Sequence, residues 1–235
     1  MNQHPPYDEL SIFFRAAFSI DLVIFTIEND RLKVLLIKRK ETPFPDRLSL
    51  PGKLIYPNQE TDRTARELAA EVIGSQNFYC KQLKAFTQLD RHPFGRVITI
   101  AHLVLVPFQE VEFQPNGLTD EIHWHDLEDM PNLPFDHNLL VETGLQEVRS
   151  TVRHIPLVFD LLPDQFTITE ARRAFEAIFG ETIDKRNFAK KVKKSELIEA
   201  LEGESKPSRG RKAALFRFRR EDYSPGKTAP LNFQY

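Results

Sequence analysis

Residues 52–74 read GKLIYPNQETDRTARELAAEVIG, and the apolar spacing inside this stretch decides how the first half of the chain folds. Ala65, Leu68, Ala69 and Val72 recur at helical intervals, which predicts a helix over 60–73 with Thr61 or Asp62 as its N-cap. Glu67 and Glu71, one turn apart, project from the same face of that helix. Upstream, SIDLVIFTI (19–27) and LKVLLIK (32–38) are rich in β-branched and aliphatic residues and flank Glu28-Asn29-Asp30, the pattern of a β-hairpin. Three prolines in 41–51 predict a loop. Downstream, 81–89 and 96–106 read as strands joined by the turn DRHPFG, and EIHWH (121–125) as a further short strand. A hairpin, a helix and more strands in this order predict an α/β sandwich, with the helix of 52–74 covering the sheet.

From Asp136 the period changes. HNLLVETGLQEVRSTV carries a helical pattern despite Gly144 and reads as the bridge out of the first domain. Past Pro156 and Pro163, EARRAFEAIFG places Ala171, Phe175 and Ile178 on one face, with Thr169 as N-cap and Gly180 as the terminating glycine. A second helix, DKRNFAKKVKK, begins a few residues later, which is helix-turn-helix spacing. Its core stripe is Phe188 and Val192. Lys185, Arg186, Asn187, Lys190, Lys191 and Lys194 spread over the remaining surface, as a recognition helix requires for phosphates and base edges. SELIEALEG, the polar loop ESKPSRGRKA and ALFRFRR then read as strand, loop, strand: a wing with Arg209, Arg211 and Lys212 around Gly210. The domains expected are residues 1–150 and residues 151–235.

Charge is divided in the same way. Residues 1–150 hold 15 Lys+Arg against 22 Asp+Glu, a net of −7, and residues 151–235 hold 17 against 12, a net of +5. A basic segment on an acidic body points to a polyanion as partner of the second half. No apolar run approaches the roughly 20 residues of a membrane span, and no secretory signal is evident. The single cysteine, Cys80, excludes an internal disulfide and reads as a small buried residue, which suits the cytoplasm. His123 and His125 share a strand face, but without a third ligand nearby they read as ordinary strand residues around Trp124.

The run 52–74 resembles the Nudix box. In that family the pattern is Gly, five residues, Glu, seven residues, Arg-Glu, an aliphatic, any residue, Glu-Glu, any residue, Gly, then an aliphatic. Gly52, Arg66, Glu67, Leu68 and Glu71 fall in register; Asn58 and Ala70 replace two glutamates, and the closing glycine arrives one place late at Gly74. The resemblance implies a Nudix α/β/α sandwich in which Arg66 orients the neighbouring glutamates. The substitutions leave Glu67 and Glu71 as a weak site for Mg²⁺ accompanying a nucleotide, with no cofactor required and residual hydrolysis left open. Beside such a box, Arg39, Lys40, Lys53, Arg91 and Arg96 are candidates to hold a diphosphate, and Phe94 to stack on a base or ribose.

With LLPDQFT, DKRNF and GRKAALFRF downstream, the whole is similar to the Nudix-related transcriptional regulators of bacterial NAD metabolism. That resemblance implies a homodimeric, cytoplasmic, nucleoid-associated repressor of NAD-biosynthesis genes. Its Nudix domain would sense ADP-ribose or a related nucleotide, and its winged helix would bind palindromic double-stranded operators until the ligand weakens the hold. An active Nudix hydrolase with an accessory C-terminal domain is the alternative.

Overall fold

The computed structural model describes residues 16–108, 119, 121–152, 156–208 and 211–220. Strand β1 (Ala17–Glu28) is the axis of a seven-stranded mixed sheet. It pairs antiparallel with β2 (Arg31–Lys38) through the turn Asn29-Asp30 and with the short β4 (Gly52–Leu54), and parallel with β6 (Val97–Leu105). β5 (Tyr79–Phe86) pairs with β6, while β3 (Leu48–Ser49) and β7 (Ile122–Asp126) pair with β2. The proline-bearing stretch expected to be all loop therefore contributes β3. Pro43 and Pro45 lie outside it, and the backbone N–H groups of 48 and 49 remain free to pair with Ile37 and Lys38.

Alternation along β1 sorts the two faces of the sheet. Ile20, Leu22 and Ile24 pack with Leu35, Ile37 and helix α1 (Thr61–Ile73), whose buried Ala65, Leu68, Ala69 and Val72 match the expected stripe. Val23 and Phe25 face the other way, toward α2 (His137–Val152). At α1 the N-cap is Glu60 in extended conformation, without a side-chain cap bond, rather than Thr61 or Asp62. Thr61 is already helical, and Thr64 returns its hydroxyl to the Glu60 carbonyl at 2.7 Å. The late glycine has a local reason: Gly74 ends α1 at φ 77° and donates to the Ala70 carbonyl, a left-handed stop that side chains disfavour.

The C-terminal half is α3 (Ile168–Phe179), α4 (Lys185–Lys194) and the hairpin β8 (Ile198–Ser208) and β9 (Arg211–Phe218). Thr167, not Thr169, caps α3. Its hydroxyl accepts from the Glu170 amide while the Glu170 carboxylate accepts from the Thr167 amide, so the two form a reciprocal capping box. Asp184 caps α4. The wing strands run further into the expected loop than their polar sequence suggests, to Ser208 on one side and from Arg211 on the other. Arg209 lies outside the described residues.

The two halves share one apolar core. Val23, Phe25, Leu103 and Leu140 of the sandwich are continuous with Phe159, Phe166, Phe175, Phe188, Val192 and Phe216 of the C-terminal half. The segment that bridges the halves is seated on this core: α2 lies against β1, and Leu157–Leu161 form a buried 3-10 turn.

Candidate nucleotide site and nucleic-acid interface

Asp21 is the one acidic residue in the apolar run of β1, and the site is built over it. Gly52 stands opposite Asp21 across the β1–β4 ladder. A Cβ at position 52 would come within 2.0 Å of the Asp21 Oδ1, so the box strand seats only because it opens with glycine. Thr99 donates its hydroxyl to Asp21 Oδ2 at 2.9 Å and is itself hydrogen-bonded to Ser19. Arg91 reaches Asp21 at 3.6 Å and grips Asp136 with two bonds of 2.7 and 3.0 Å. His137 accepts the Leu50 amide on Nδ1 at 3.0 Å, which leaves the hydrogen on Nε2, facing Asp21 Oδ1 at 3.6 Å. Burial pushes the Asp21 carboxyl up to about 6 against the pull of Arg91. Burial drives the His137 imidazole down to about 3, so it is neutral beside the carboxylate.

Above this floor lies an aromatic layer. Phe135 stacks on His92 at 5.3 Å, meets Phe44 edge-on at 5.1 Å, and carries the Arg39 guanidinium over its ring at 5.1 Å. Arg39 also donates to the Pro43 carbonyl at 2.9 Å. Beside it a cleft of about 500 Å³ is lined by Lys38, Arg39, Lys40, Asp46, Thr119 and Glu121. Lys38 is paired with Glu121 at 3.1 Å.

The expected ligand-holding residues separate in this arrangement. Arg39 and Lys40 share the cleft. Phe94 is exposed at the turn and contacts His92 edge-on. Arg91 is not a surface loop residue: its side chain is 3% exposed and committed to Asp136. Arg96 donates to the Thr87 and Gln88 carbonyls, which closes its own turn. Lys53 stands opposite Ile20, on the α1 side of the sheet, away from Arg91 and Arg39. Asp21, Phe135, Asp136 and His137 escaped the motif reading. A lone Asp inside SIDLVIFTI was the available signal, because a charge in a strand buried on both faces needs a partner.

On α1, Arg66 donates to the Cys80 carbonyl at 3.0 Å. It ties the helix to β5 instead of orienting the glutamates. Glu67 is engaged by Arg63 at 2.8 Å, and Glu71 is exposed. Among the described residues no three of His, Cys, Asp and Glu gather where a metal ion could be held. This donor set does not fit a dedicated Mg²⁺ centre.

On the C-terminal half, α4 buries Phe188 and Val192 and leaves Lys185, Arg186, Asn187, Lys190, Lys191 and Lys194 exposed, as its spacing predicts. Lys193 instead lies over the Phe216 ring at 5.6 Å. Lys212 is exposed on β9, and Lys206 is tied to Glu170 at 2.7 Å, which holds the wing against the start of α3.

Residues 158–218 match the NrtR DNA-binding winged helix domain. The chain has the build of a Nudix-related, NrtR-type transcriptional regulator. The ADPR responsive transcriptional repressor NtrR of Acinetobacter baylyi is 27% identical over 209 residues, which span 87% of this chain and 83% of that protein. Shewanella oneidensis NrtR in complex with a 27mer DNA superposes with a TM-score of 0.76 at 27% identity, over 86% of this chain and 93% of that one. The NUDIX domain of the same Shewanella protein complexed with ADP ribose matches at TM-score 0.52 and 28% identity, over 63% and 94%. An ADP-ribose pyrophosphatase of Methanocaldococcus jannaschii is 29% identical over 135 residues, covering 56% of this chain and 74% of that protein. The match to the Acinetobacter repressor thus takes in 87% of this chain, against 56% for the pyrophosphatase. No helix among the described residues is long and apolar enough to cross a membrane.

Proposed function

We propose that the protein is a cytoplasmic, homodimeric repressor of NAD-biosynthesis genes. Residues 151–235 bind operator DNA, and residues 1–150 bind ADP-ribose or a close relative. The observation that carries this reading is α4. Six polar or cationic side chains face outward on a helix whose buried stripe is anchored in the core shared with the nucleotide-binding half. Such a helix supplies phosphate contacts and base readout together. Two-fold symmetry would set two copies on half-sites of a palindrome.

The effector fits the cleft by charge. A diphosphate needs cations, and Arg39 and Lys40 offer them beside the aromatic layer of Phe94, His92 and Phe135. Hydrolysis needs more carboxylate than α1 presents, with Ala70 and Asn58 in the box and Glu67 held by Arg63. A sensor benefits from that deficit, because a ligand that is cleaved stops reporting.

Anisotropy titration of a promoter fragment from NAD-biosynthesis genes, with and without ADP-ribose, tests the reading. DNA affinity should fall when ADP-ribose is present, which requires the ligand to prefer a state other than the DNA-bound one. Equal affinity in both arms would refute ligand response. Turnover of ADP-ribose with Mg²⁺ at about 1 per second or more, an ordinary enzyme rate, would favour the hydrolase instead.

A further inference from the structure

The cleft that holds Arg39 and Lys40 lies on the sandwich, and the basic helix α4 lies on the other half. We propose that α2 is the transmitting strut, fastened to the nucleotide site by Asp136 and His137 and to the winged helix by Arg149. This rests on the proposed ligand response and adds the route it takes.

The upper end is a short relay. Arg39 lines the cleft and sits over the Phe135 ring. Phe135 has φ 58°, a left-handed conformation held for a bulky aromatic residue by its surroundings. It is bonded directly to Asp136, whose carboxylate is gripped by Arg91, and His137 opens α2 under the Leu50 amide. A ligand that draws Arg39 away from Phe135 therefore acts on the first turn of α2.

The shaft cannot absorb the displacement. α2 has 16 residues, roughly 24 Å of helix. At its middle Gly144 lies so close to β1 that a Cβ would come within 2.8 Å of Val23 Cγ1. Close-packed interiors shift as bodies and do not deform continuously.

The lower end is a polar contact from α2 to the C-terminal half. Arg149 Nε donates to the Ile178 carbonyl at 2.8 Å. Ile178 is in the last turn of α3, where carbonyls have no partner within the helix, so Arg149 completes the C-terminus of α3 from outside. α3 packs on α4 through Phe175 and Phe188, with ring centroids 5.3 Å apart. A second tie between the halves, Arg173 to Asp30 at 2.8 Å, is about half exposed on both sides and provides a built-in control, because such pairs contribute little.

The test uses the full-length protein with Arg149→Ala, Arg149→Gln and Arg173→Ala. For each, operator affinity is measured with and without ADP-ribose, and ADP-ribose affinity without DNA. Both Arg149 variants should bind each partner alone within about threefold of wild type, while the ratio that links them falls from the roughly 5- to 150-fold usual for such coupling to below about 3. Arg173→Ala should keep the ratio. In wild type, ADP-ribose should change amide exchange at Phe179 and Gly180, and in the Arg149 variants it should not. A ratio that stays above about 3 in either Arg149 variant overturns the strut, as does loss of the ratio in Arg173→Ala alone. A wild-type ratio of one defeats both the strut and the ligand response, and the Arg149 result is then not needed to tell them apart.

Discussion

Asp21 and His137 lie 3.6 Å apart, and burial moves their acidities in opposite directions. Asp21, raised from 3.8 to about 6, holds a proton in the fold that it lacks in the open chain, so its contribution to stability falls as pH rises across that window. His137, lowered from 6.5 to about 3, stays neutral in the fold where the open chain would protonate, so its contribution falls as pH drops from 6.5 toward 3. Between about pH 4 and 6 the two slopes cancel. His137→Gln removes one of them. Relative to wild type, the variant should lose about 1.4 kcal/mol of stability per pH unit as pH rises from 4 to 6, read from urea midpoints at pH 4, 5 and 6. Parallel curves would mean that His137 titrates in the native protein as it does unfolded. Neither residue belongs to a motif. They became visible only when β1, the loop after β5 and the start of α2 were brought together, because each is separated from its partners by tens of residues.

At the scale of elements, α4 is the helix most open to test. If Lys190 and Lys194 both meet phosphates, replacing both with Ala should lower the slope of log affinity against log salt by about 1.8, at about 0.9 for each contact. A slope equal to that of wild type would place the DNA on another face. This helix was legible in the sequence because Phe188 and Val192, one turn apart amid cations, admit a single buried side. The box helix was equally legible in its apolar spacing. Its polar side chains were not, since spacing places a residue on a face but does not choose its partner. Arg66 took a carbonyl of β5 and Glu67 took Arg63. Capping was misread at α3 for a similar reason: Thr167 and Thr169 are both good caps, and only Thr167 stands three residues before the Glu170 that completes the box. Arg91 was expected among the cations that hold a diphosphate, and its side chain is buried instead. Its burial depends on Asp136, 45 residues away.

At the scale of the molecule, one apolar core runs from Val23 to Phe216. The halves should therefore melt together. Trp124, the sole tryptophan, lies on β7 of the sandwich, while the helical signal includes α3 and α4. Phe175→Ala, a fully buried truncation costing about 3–5 kcal/mol, should move the fluorescence and circular-dichroism midpoints equally. Separate midpoints would divide the core in two. The shared core has a further consequence for how the protein meets DNA. A body of net charge −7 and a head of +5, on a flexible tether, would approach a duplex independently. Locked into one piece they form a permanent dipole, and the field of the phosphates turns the whole molecule, head first, before any contact is made. Orientation is then settled during diffusion, and encounter should be fast at low salt and slow markedly as screening grows.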